Sequence, residues 1–441
     1  MTTILTNVTA TQSLTGDDVL FIDQVGSVNV VGAHAISNSG PDNLSLIHGL
    51  AAASNTVVYF SGTAVDSTVS IGETGRVVGL SQAHFAVYTS GTRTNIVNHG
   101  QISGPYAVSL SGTDSVLTNT GLIEALSGVG SNVGGVLMYG DSETVMNSGH
   151  IFGKSFGVGA RVSAPTNGTI INSGQITGDV GVLFESGTDV RLENSGTITG
   201  TSGKALYLDI DKAYVLNTGT IVGDVEFDNT GGFLKNSGEI HGDVILDETG
   251  SYYKGAVDGW VSGGVRGNIG NDTIYGASGF DYIEGGEGND YVKGRAGNDR
   301  IFADEGADTV RGNDGDDEIE GNKGTDLLFG GRGDDTIRGG GGNDTIKGGS
   351  GDDELTGGSN ADVFIFGFRS GIDEITDFNN NTDKLDLSAL ALTDVSDLTA
   401  ASAIVANGSG SIIDLTALGG DGAIYVEDMA VGQWNNADFI F

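Results

Sequence analysis

The chain of 441 residues provides about three domains' worth of sequence, and it contains 76 glycines, 3 prolines and no cysteine. Its 20 Lys and Arg against 58 Asp and Glu give a formal charge of −38, which disfavours nucleic acid and anionic membranes as partners and favours cations. A hydrophobic content of 38% excludes a disordered acidic chain, and no apolar run approaches the roughly 20 residues that span a bilayer.

The N-terminal segment does not have the pattern of a secretory signal peptide. Residues 1–20 lack a basic region followed by a continuous apolar run, and they include Asp17 and Asp18. We therefore expect that the chain is not exported through an N-terminal signal. Residues 1–69 are assigned to an N-terminal cap and the first coils of the domain that follows.

A repeat of the form Asn-(Ser/Thr/His)-Gly-x-Ile fills most of residues 70–245, with a degenerate early copy at Glu73–Val77. From Asn98 onward the copies are separated by 21, 28, 25, 22, 23 and 19 residues. The copies are Asn98–Ile102, Asn119–Ile123, Asn147–Ile151, Asn172–Ile176, Asn194–Ile198, Asn217–Ile221 and Asn236–Ile240.

Short apolar runs lie between these turns, as at Ala107–Leu110, Val182–Phe184 and Ala205–Leu208, and each is long enough only for a strand. A period of about 22 residues with two or three strands is typical of one coil of a parallel β-helix, with apolar residues inside and a hydrogen-bonded asparagine ladder at a corner. This spacing resembles the right-handed β-helices of autotransporter passengers and pectin-lyase-like proteins. We assign residues 70–255 to such a helix; an antiparallel sandwich is the alternative.

A stricter repeat covers residues 267–365, which divide into eleven nonapeptides without a gap. Glycine occupies positions one and four in ten of the eleven, with Ala303 and Asn360 as the exceptions, and position eight is always apolar. Position six is always aspartate: Asp272, Asp281, Asp290, Asp299, Asp308, Asp317, Asp326, Asp335, Asp344, Asp353 and Asp362.

Two nonapeptides close one coil, so the aspartates of repeats n and n+2 are expected on the same edge, about 4.8 Å apart. Carboxylates at that spacing repel each other unless they are protonated or bridged by a hard cation that takes oxygen ligands. The pattern resembles the G-G-x-G-x-D-x-U-x repeat of RTX proteins, which implies a parallel β-roll that binds Ca²⁺ through these aspartates. Five gaps on one edge and four on the other allow up to about nine ions.

Folding of this roll is expected to depend on calcium. Only one aliphatic side chain per nonapeptide faces inward, which is too little burial to offset about 1–2 kcal/mol of backbone entropy per residue. The roll is assigned to residues 256–366.

The tail, residues 367–441, follows a different pattern. Ala361–Phe366, Ile375–Phe378 and Thr382–Leu387 occur in an order similar to the C-terminal domain of serralysin-type secreted proteins. The end, Ala437–Phe441, resembles a type I secretion signal; a final edge strand is the alternative. The resemblance implies a small β-rich cap and secretion by a Gram-negative bacterium to the cell surface or medium.

Catalytic motifs are weak. There is no His-Glu-x-x-His sequence, and Gly153–Gly157 matches a nucleophile elbow only formally, because it lies in a predicted β-helix turn. The histidines, at positions 34, 48, 84, 99, 150 and 241, are expected in turns or at the surface. Carboxylates and a base for sugar chemistry are available at Asp114, Asp141, Glu143, Glu185, Asp189 and Arg191, and tyrosines for sugar stacking at Tyr88, Tyr106, Tyr139 and Tyr207.

The sequence therefore predicts an all-β, calcium-folded, non-enzymatic extracellular protein that self-assembles at the cell surface as an S-layer-like or matrix component. A polysaccharide lyase or epimerase on the β-helix and a glycan-binding adhesin are the alternatives. Expected partners are further copies of the chain, bridged by calcium through outward carboxylates such as Glu284, Glu318 and Glu320, and a cell-surface polysaccharide. Nucleic acid and membrane insertion are not expected.

Overall fold

The computed structural model describes residues 2–441 except for residues 9–11, 15–18, 31–34, 83, 127–132, 161–164, 229–230, 247–249, 257, 391 and 409. The described residues are mostly short strands, almost all paired in parallel, which confirms the predicted solenoid fold class. The chain forms two compact units, Met1–Val244 and Ile245–Phe441. In the described part of the chain, no helix is long and apolar enough to cross a membrane.

The strands of the first unit are β1 Thr2–Val8, β2 Gln12–Leu14, β3 Val19–Val30, β4 Ile36–Asn38, β5 Leu44–Ile47, β6 Leu50–Ala53, β7 Val58–Phe60, β8 Thr68–Ile71, β9 Arg76–Gly79, β10 Phe85–Thr89, β11 Asn95–Asn98, β12 Gln101–Gly104, β13 Tyr106–Leu110, β14 Val116–Asn119, β15 Leu122–Ala125, β16 Gly134–Met138, β17 Thr144–Asn147, β18 His150–Gly153, β19 Phe156–Ala160, β20 Thr169–Asn172, β21 Gln175–Gly178, β22 Val180–Phe184, β23 Arg191–Asn194, β24 Thr197–Leu208, β25 Tyr214–Asn217, β26 Thr220–Phe227, β27 Phe233–Asn236 and β28 Glu239–His241. The unit boundary falls within β29, Val244–Ile245.

Three strands make each coil of the first unit in the region of the Asn-Gly repeats. Strand β13 pairs in parallel with β10 and β16, β14 pairs with β11 and β17, and β15 pairs with β12 and β18. Parallel pairing between successive coils confirms the β-helix and excludes the antiparallel sandwich for these residues. The apolar runs Ala107–Leu110 and Val182–Phe184 are strands, as predicted.

Aligned aliphatic side chains fill the interior of this unit. One column joins Ile102, Ile123, Ile151, Ile176 and Ile198, all fully buried, so each coil places its repeat isoleucine directly over the previous one. Burial of such a side chain contributes about 1.5–3 kcal/mol, which makes these columns the main apolar contribution to the stability of the unit.

The asparagine of each repeat forms the predicted ladder inside the coils. The side-chain amide of Asn98 donates to Oδ1 of Asn119 at 2.7 Å, and the same bond recurs at each following step at 2.7–2.8 Å. The seven asparagines are at most 2% exposed. They are Asn98, Asn119, Asn147, Asn172, Asn194, Asn217 and Asn236.

The strands of the second unit are β30 Tyr252–Gly255, β31 Trp260–Val261, β32 Val265–Arg266, β33 Thr273–Tyr275, β34 Tyr282–Glu287, β35 Tyr291–Ala296, β36 Arg300–Gly306, β37 Thr309–Asp314, β38 Glu318–Gly324, β39 Leu327–Arg332, β40 Thr336–Gly341, β41 Thr345–Ser350, β42 Glu354–Ser359, β43 Val363–Ile365, β44 Arg369–Ile375, β45 Lys384–Asp386, β46 Ile404–Asn407, β47 Gly410–Asp414, β48 Asp421–Val426 and β49 Phe439–Ile440. The described helices are α1, Val395–Ala400, and the 3₁₀ turns Ser388–Leu390, Thr416–Leu418, Val431–Gln433 and Asn436–Asp438.

Two strands make each coil in the nonapeptide region, as predicted. Ile274 in β33 pairs with Val292 in β35, and Ile283 in β34 pairs with Ile301 in β36, a register of 18 residues that continues through the repeats. The apolar residue at position eight of each repeat is fully buried. The glycine turns stack closely. A Cβ added at Gly324 would lie 1.4 Å from the carbonyl oxygen of Gly306, and Gly324 itself has a φ of +153°. Asn360, which replaces a position-four glycine, keeps a left-handed φ of 85°.

The tail caps the second unit. Strands β44 and β45 continue the parallel coils, and β46, β47 and β48 form a small antiparallel sheet. The last strand, β49, pairs with β45, and Trp434 packs against Phe378 and Phe439. The predicted domain boundaries at 69, 255 and 366 stay predictions beside the structural division at Val244.

Candidate calcium sites

The eleven position-six aspartates form two stacked ladders, one on each edge of the roll. On one edge Oδ1 of Asp290 accepts the backbone N–H of Asp272 at 2.7 Å, and on the other Oδ1 of Asp299 accepts the N–H of Asp281 at 2.8 Å. The same bond repeats every 18 residues along both edges at 2.7–2.9 Å. All eleven side chains are at most 7% exposed.

The second carboxylate oxygen of nine of these aspartates is buried and has no hydrogen-bond partner. These oxygens belong to Asp290, Asp299, Asp308, Asp317, Asp326, Asp335, Asp344, Asp353 and Asp362. A buried carboxylate oxygen without a partner is energetically costly. Its recurrence in nearly every repeat indicates a ligand of regular spacing.

The position-one glycine leaves room beside this oxygen. A Cβ added at Gly312 would lie 1.9 Å from Oδ2 of Asp317, and one added at Gly330 would lie 2.1 Å from Oδ2 of Asp335. Only glycine therefore keeps the space around the unpartnered oxygen open in these repeats. The absence of a side chain also leaves the backbone carbonyls of the turn accessible as ligands.

Burial raises the pKa values of these carboxyl groups. The pKa of Asp299 and of Asp335 is raised to about 8, first by burial and then by the aspartates above and below in the ladder. The pKa of Asp308 is raised to about 7 and that of Asp317 to about 6, again mainly by burial. At neutral pH the metal-free ladders therefore lie close to the balance between protonated and charged forms, and a cation favours the charged form.

The residues present fit a hard cation with oxygen ligands. Among the described residues, no three His, Cys, Asp or Glu side chains meet in one cluster, so a site made of side chains alone is not formed there. The available set is one buried carboxylate oxygen per repeat together with carbonyls of the glycine-rich turns, which suits Ca²⁺ with six to eight oxygen ligands. The assignment of the eleven aspartates as ligands remains a prediction.

Both ladders continue beyond the last nonapeptide, which the sequence pattern did not predict. Oδ1 of Asp373 accepts the N–H of Asp353 at 3.2 Å, and Oδ1 of Asp383 accepts the N–H of Asp362 at 3.1 Å. Both are at most 3% exposed, and burial raises the pKa of Asp373 to about 8. Their spacings of 20 and 21 residues break the nine-residue period, but the Asp-x-apolar order persists in Asp373-Glu374-Ile375 and Asp383-Lys384-Leu385.

The carboxylates considered for sugar chemistry do not form one cluster. Asp114 and Asp141 lie at one corner in adjacent coils, where the N–H of Asp114 donates to the carbonyl of Asp141, and Oδ1 of Asp141 accepts from Thr166. Asp189 occupies the same corner further along the unit, with a left-handed φ of 55°. Arg191 pairs with Glu193 at 2.6 Å, and the side chain of Glu185 is half-buried.

Glu143 differs from the other carboxylates because its side chain is fully buried inside the first unit. Burial raises its pKa to about 9, so the group is protonated at neutral pH. A Cβ added at Gly140, in the turn just before Glu143, would lie 1.6 Å from the carbonyl oxygen of Gly112 and 2.6 Å from Oε1 of Glu143, so only glycine leaves room for the carboxyl group there. The sequence indicated a turn carboxylate at this position and gave no sign of its burial.

The other candidate residues of the first unit lie on its outer surface. His84, His99 and His241 are exposed and His48 and His150 are half-buried, in agreement with the predicted turn and surface positions; His34 lies outside the described residues. Tyr88 stacks on Tyr59 with centroids 5.6 Å apart, Tyr106 packs on Phe85, and the hydroxyl of Tyr207 donates to Asp228. Gly153–Gly157 lies between β18 and β19 with no helix following.

Comparison with known proteins assigns the roll to a family. Four copies of the family model for the RTX calcium-binding nonapeptide repeat match residues 266–301, 294–328, 302–337 and 329–364. These residues are RTX calcium-binding repeats. No curated protein matches the chain. Among solved structures, the extracellular lipase LipA from Serratia marcescens is similar over 39% of this chain and 40% of its own, with 21% identity and a TM-score of 0.19. The chain thus spans less than half of that enzyme's length.

Proposed function

We propose that this protein is exported unfolded by a type I system of a Gram-negative bacterium and that calcium folds its RTX roll outside the cell. The observation that carries the proposal is the set of nine buried carboxylate oxygens without partners, which are distributed over the two aspartate ladders. Charged aspartates do not stack in this way without a cation, so at neutral to alkaline pH the roll is stable only where calcium is abundant. Because the roll needs calcium to fold, it stays unfolded during export and folds once it reaches calcium outside the cell.

The folded protein serves a structural role at the cell surface and assembles there with further copies into an S-layer-like lattice or matrix. Exposed aspartates at the turns of one roll edge support this step: Asp316, Asp334 and Asp352 form a row in which each N–H donates to the previous carboxylate. Calcium ions bound between the aspartate rows of two molecules neutralise both rows and join the molecules. Without calcium, the formal charge of −38 on each chain makes the molecules repel each other.

Two of the three glutamates that the sequence indicated for this bridging are in ion pairs within the chain. Glu284 pairs with Arg266 at 2.8 Å and Glu318 pairs with Arg300 at 3.1 Å. Glu320 lies beside Arg338 in the strand register. We therefore assign the bridging role to the exposed aspartate row rather than to these glutamates.

Calcium titration of the purified full chain tests assembly, with light scattering and negative-stain microscopy as readouts. Monomers are expected in chelator, and ordered sheets or filaments at millimolar calcium. The variant Asp316→Asn/Asp334→Asn/Asp352→Asn should fold with calcium but assemble less, and Glu284→Gln/Glu318→Gln/Glu320→Gln, with the same change in charge, should assemble like the parent. A fully calcium-loaded protein that stays monomeric at high concentration overturns the lattice.

A further inference from the structure

The two broad faces of the roll differ in charge. Strands of odd-numbered repeats form one face and strands of even-numbered repeats form the other, because two repeats make one coil. On the odd face the position-nine side chains fall in one line along the parallel register. We call this line the basic-aromatic stripe: Tyr275, Lys293, Arg311, Phe329 and Lys347.

Cations and rings are in contact along the stripe. The Nζ of Lys293 lies 5.6 Å from the ring centroid of Tyr275 and 5.1 Å from that of Tyr291 in the neighbouring column. The guanidinium carbon of Arg311 lies 4.2 Å from the ring centroid of Phe329. These contacts hold the cationic groups flat against the sheet with their outer sides open to solvent.

No acidic residue occurs in the outward columns of the odd face. The position-seven column beside the stripe contains Thr273, Tyr291, Thr309, Leu327, Thr345 and Val363. Across the residues that the structure describes, no ion pair involves Lys293, Arg311 or Lys347. At the rim, Asp314 is paired with Arg332 at 3.2 Å.

The even face has the opposite character, since its arginines are in ion pairs. Arg300 pairs with Glu318 at 3.1 Å, and Arg338 lies 3.8 Å from Glu318 and 3.7 Å from Glu354. The unpaired cations of the odd face are therefore not a general property of the roll. In a chain with only 20 basic residues, their concentration along one line favours an anionic partner.

The stripe also contains a shallow groove. Its lining includes Arg311, Phe329 and Lys347 together with Asn313 and Ser350, and no acidic side chain is part of it. The groove therefore combines an aromatic ring, two cationic groups and neutral hydrogen-bonding groups in one place, which is the mixture that an acidic sugar requires.

We infer that the basic-aromatic stripe binds a chain of acidic polysaccharide. Carboxylates of the glycan pair with Lys293, Arg311 and Lys347, and sugar rings stack on Phe329 and Tyr275. A single flexible glycan contacts only the stripe. A membrane or a nucleic acid is larger and is repelled by the negative charge of the rest of the molecule. The inference requires the calcium-folded roll of the proposed function, but it does not require assembly.

Fluorescence anisotropy of the full chain at millimolar calcium tests the inference, with labelled hyaluronan oligosaccharide as the acidic probe and labelled dextran as the neutral one. The triple variant Lys293→Gln/Arg311→Gln/Lys347→Gln should weaken hyaluronan binding about tenfold or more, because three charge-assisted contacts are lost. Phe329→Leu should weaken it about threefold by removing the stacking ring.

The matched control is Arg300→Gln/Lys323→Gln/Arg338→Gln, which removes the same charge elsewhere on the roll and should change binding less than about twofold. Equal loss in both triple variants, equal affinity for dextran, or the absence of hyaluronan binding overturns the inference. Stronger binding to phosphatidylglycerol vesicles than to hyaluronan also overturns it, in favour of a membrane. Circular dichroism and light scattering on the same samples report folding and assembly separately, so failure of the lattice proposal remains distinguishable.

Discussion

Both units stack polar side chains from coil to coil: the first stacks one asparagine per coil, and the second stacks two aspartates per coil, one on each edge. The amide of Asn172 accepts from Asn147 at 2.8 Å and donates to Asn194 at 2.7 Å, so it satisfies the residues on both sides. Asp317 accepts from the backbone of Asp299, and its other oxygen has no donor to meet. An amide carries both a donor and an acceptor, whereas a carboxylate only accepts.

This difference of one functional group separates a ladder that is complete by itself from a ladder that requires a cation or a proton. The asparagine ladder is complete without a cation, whereas we expect the aspartate coils to fold only when calcium or protons balance their carboxylates. Five experiments test the comparison, in order of decreasing expected effect.

Chelation of calcium should unfold residues 267–365 while the asparagine coils stay folded. If each site has a dissociation constant near 1 mM, about 10 mM calcium contributes roughly 1.4 kcal/mol per site, which summed over the roll is on the order of a whole domain's stability. Hydrogen exchange with and without calcium measures the effect in both units. Equal protection of the roll under both conditions would contradict metal-dependent folding.

Placing an aspartate in the asparagine ladder should leave the first unit with a buried carboxylate that lacks a hydrogen-bond donor, as in the metal-free second unit. Asn172→Asp removes the amide that donates to Asn194, Gly174 and Thr197 and puts a charge among their oxygens. We expect a loss of about 3–5 kcal/mol, measured by urea unfolding at neutral pH. Ser173→Asp, at the exposed neighbouring position, is the control and should cost little. A similar cost in both variants would show that the ladder position has no special role.

Acidification should partly replace calcium in the roll. Burial raises the folded-state pKa of Asp335 to about 8 and of Asp290 to about 6, above the ordinary value near 3.8. Between about pH 4 and pH 8 the folded roll therefore holds more protons than the unfolded chain, and its stability without metal falls as pH rises. Chelated protein should regain roll structure by circular dichroism between pH 8 and pH 5.

The first unit provides the internal control for that measurement. The ladder of the first unit consists of neutral amides, and outside the ladder the pKa of the buried Glu143 is raised to about 9. A chelated roll that stays unfolded at pH 5 would show that protons cannot substitute for the cation. Glu143→Gln should remove most of the pH dependence that remains in the first unit.

A single aspartate-to-asparagine change in the roll should have a smaller effect, because neighbouring sites remain. Asp317→Asn removes one buried ligand, and we expect the calcium midpoint of roll folding to rise severalfold. Asp316→Asn removes an equal charge at the exposed adjacent position and should shift the midpoint less. Calcium titrations followed by circular dichroism compare them, and identical midpoints would rule against Asp317 as a ligand.

The smallest effect is expected at the irregular end of the ladders. Asp373→Asn and Asp383→Asn should each lower the number of bound calcium ions by about one, measured by isothermal titration calorimetry, because each closes the last step of one ladder. Asp421→Asn, an exposed residue of the cap, serves as the control. An unchanged stoichiometry in both ladder variants would limit the sites to the regular repeats.

Periodic features of the fold could be read from the sequence, and irregular ones could not. The 18-residue register and the asparagine ladder follow from motifs that recur at fixed positions, so Ile274 and Asn119 could be placed before any coordinates. Asp373 and Asp383 were missed because insertions in the turns changed their spacing while the strand register was kept. The inward side chain of Glu143 depends on the local shape of one turn, which leaves no periodic signal.

The alternation of odd and even repeats limits how the roll can change its length during evolution. Removal of one nonapeptide preserves every aspartate-to-aspartate step, since each repeat supplies the same residue at position six. It also moves every later repeat to the opposite side, so that position-nine residues such as Glu320 and Arg338 continue the line begun by Tyr275 and Lys293. Gain or loss of repeats in pairs keeps both surfaces intact, so we expect this roll to change its length in units of 18 residues rather than nine.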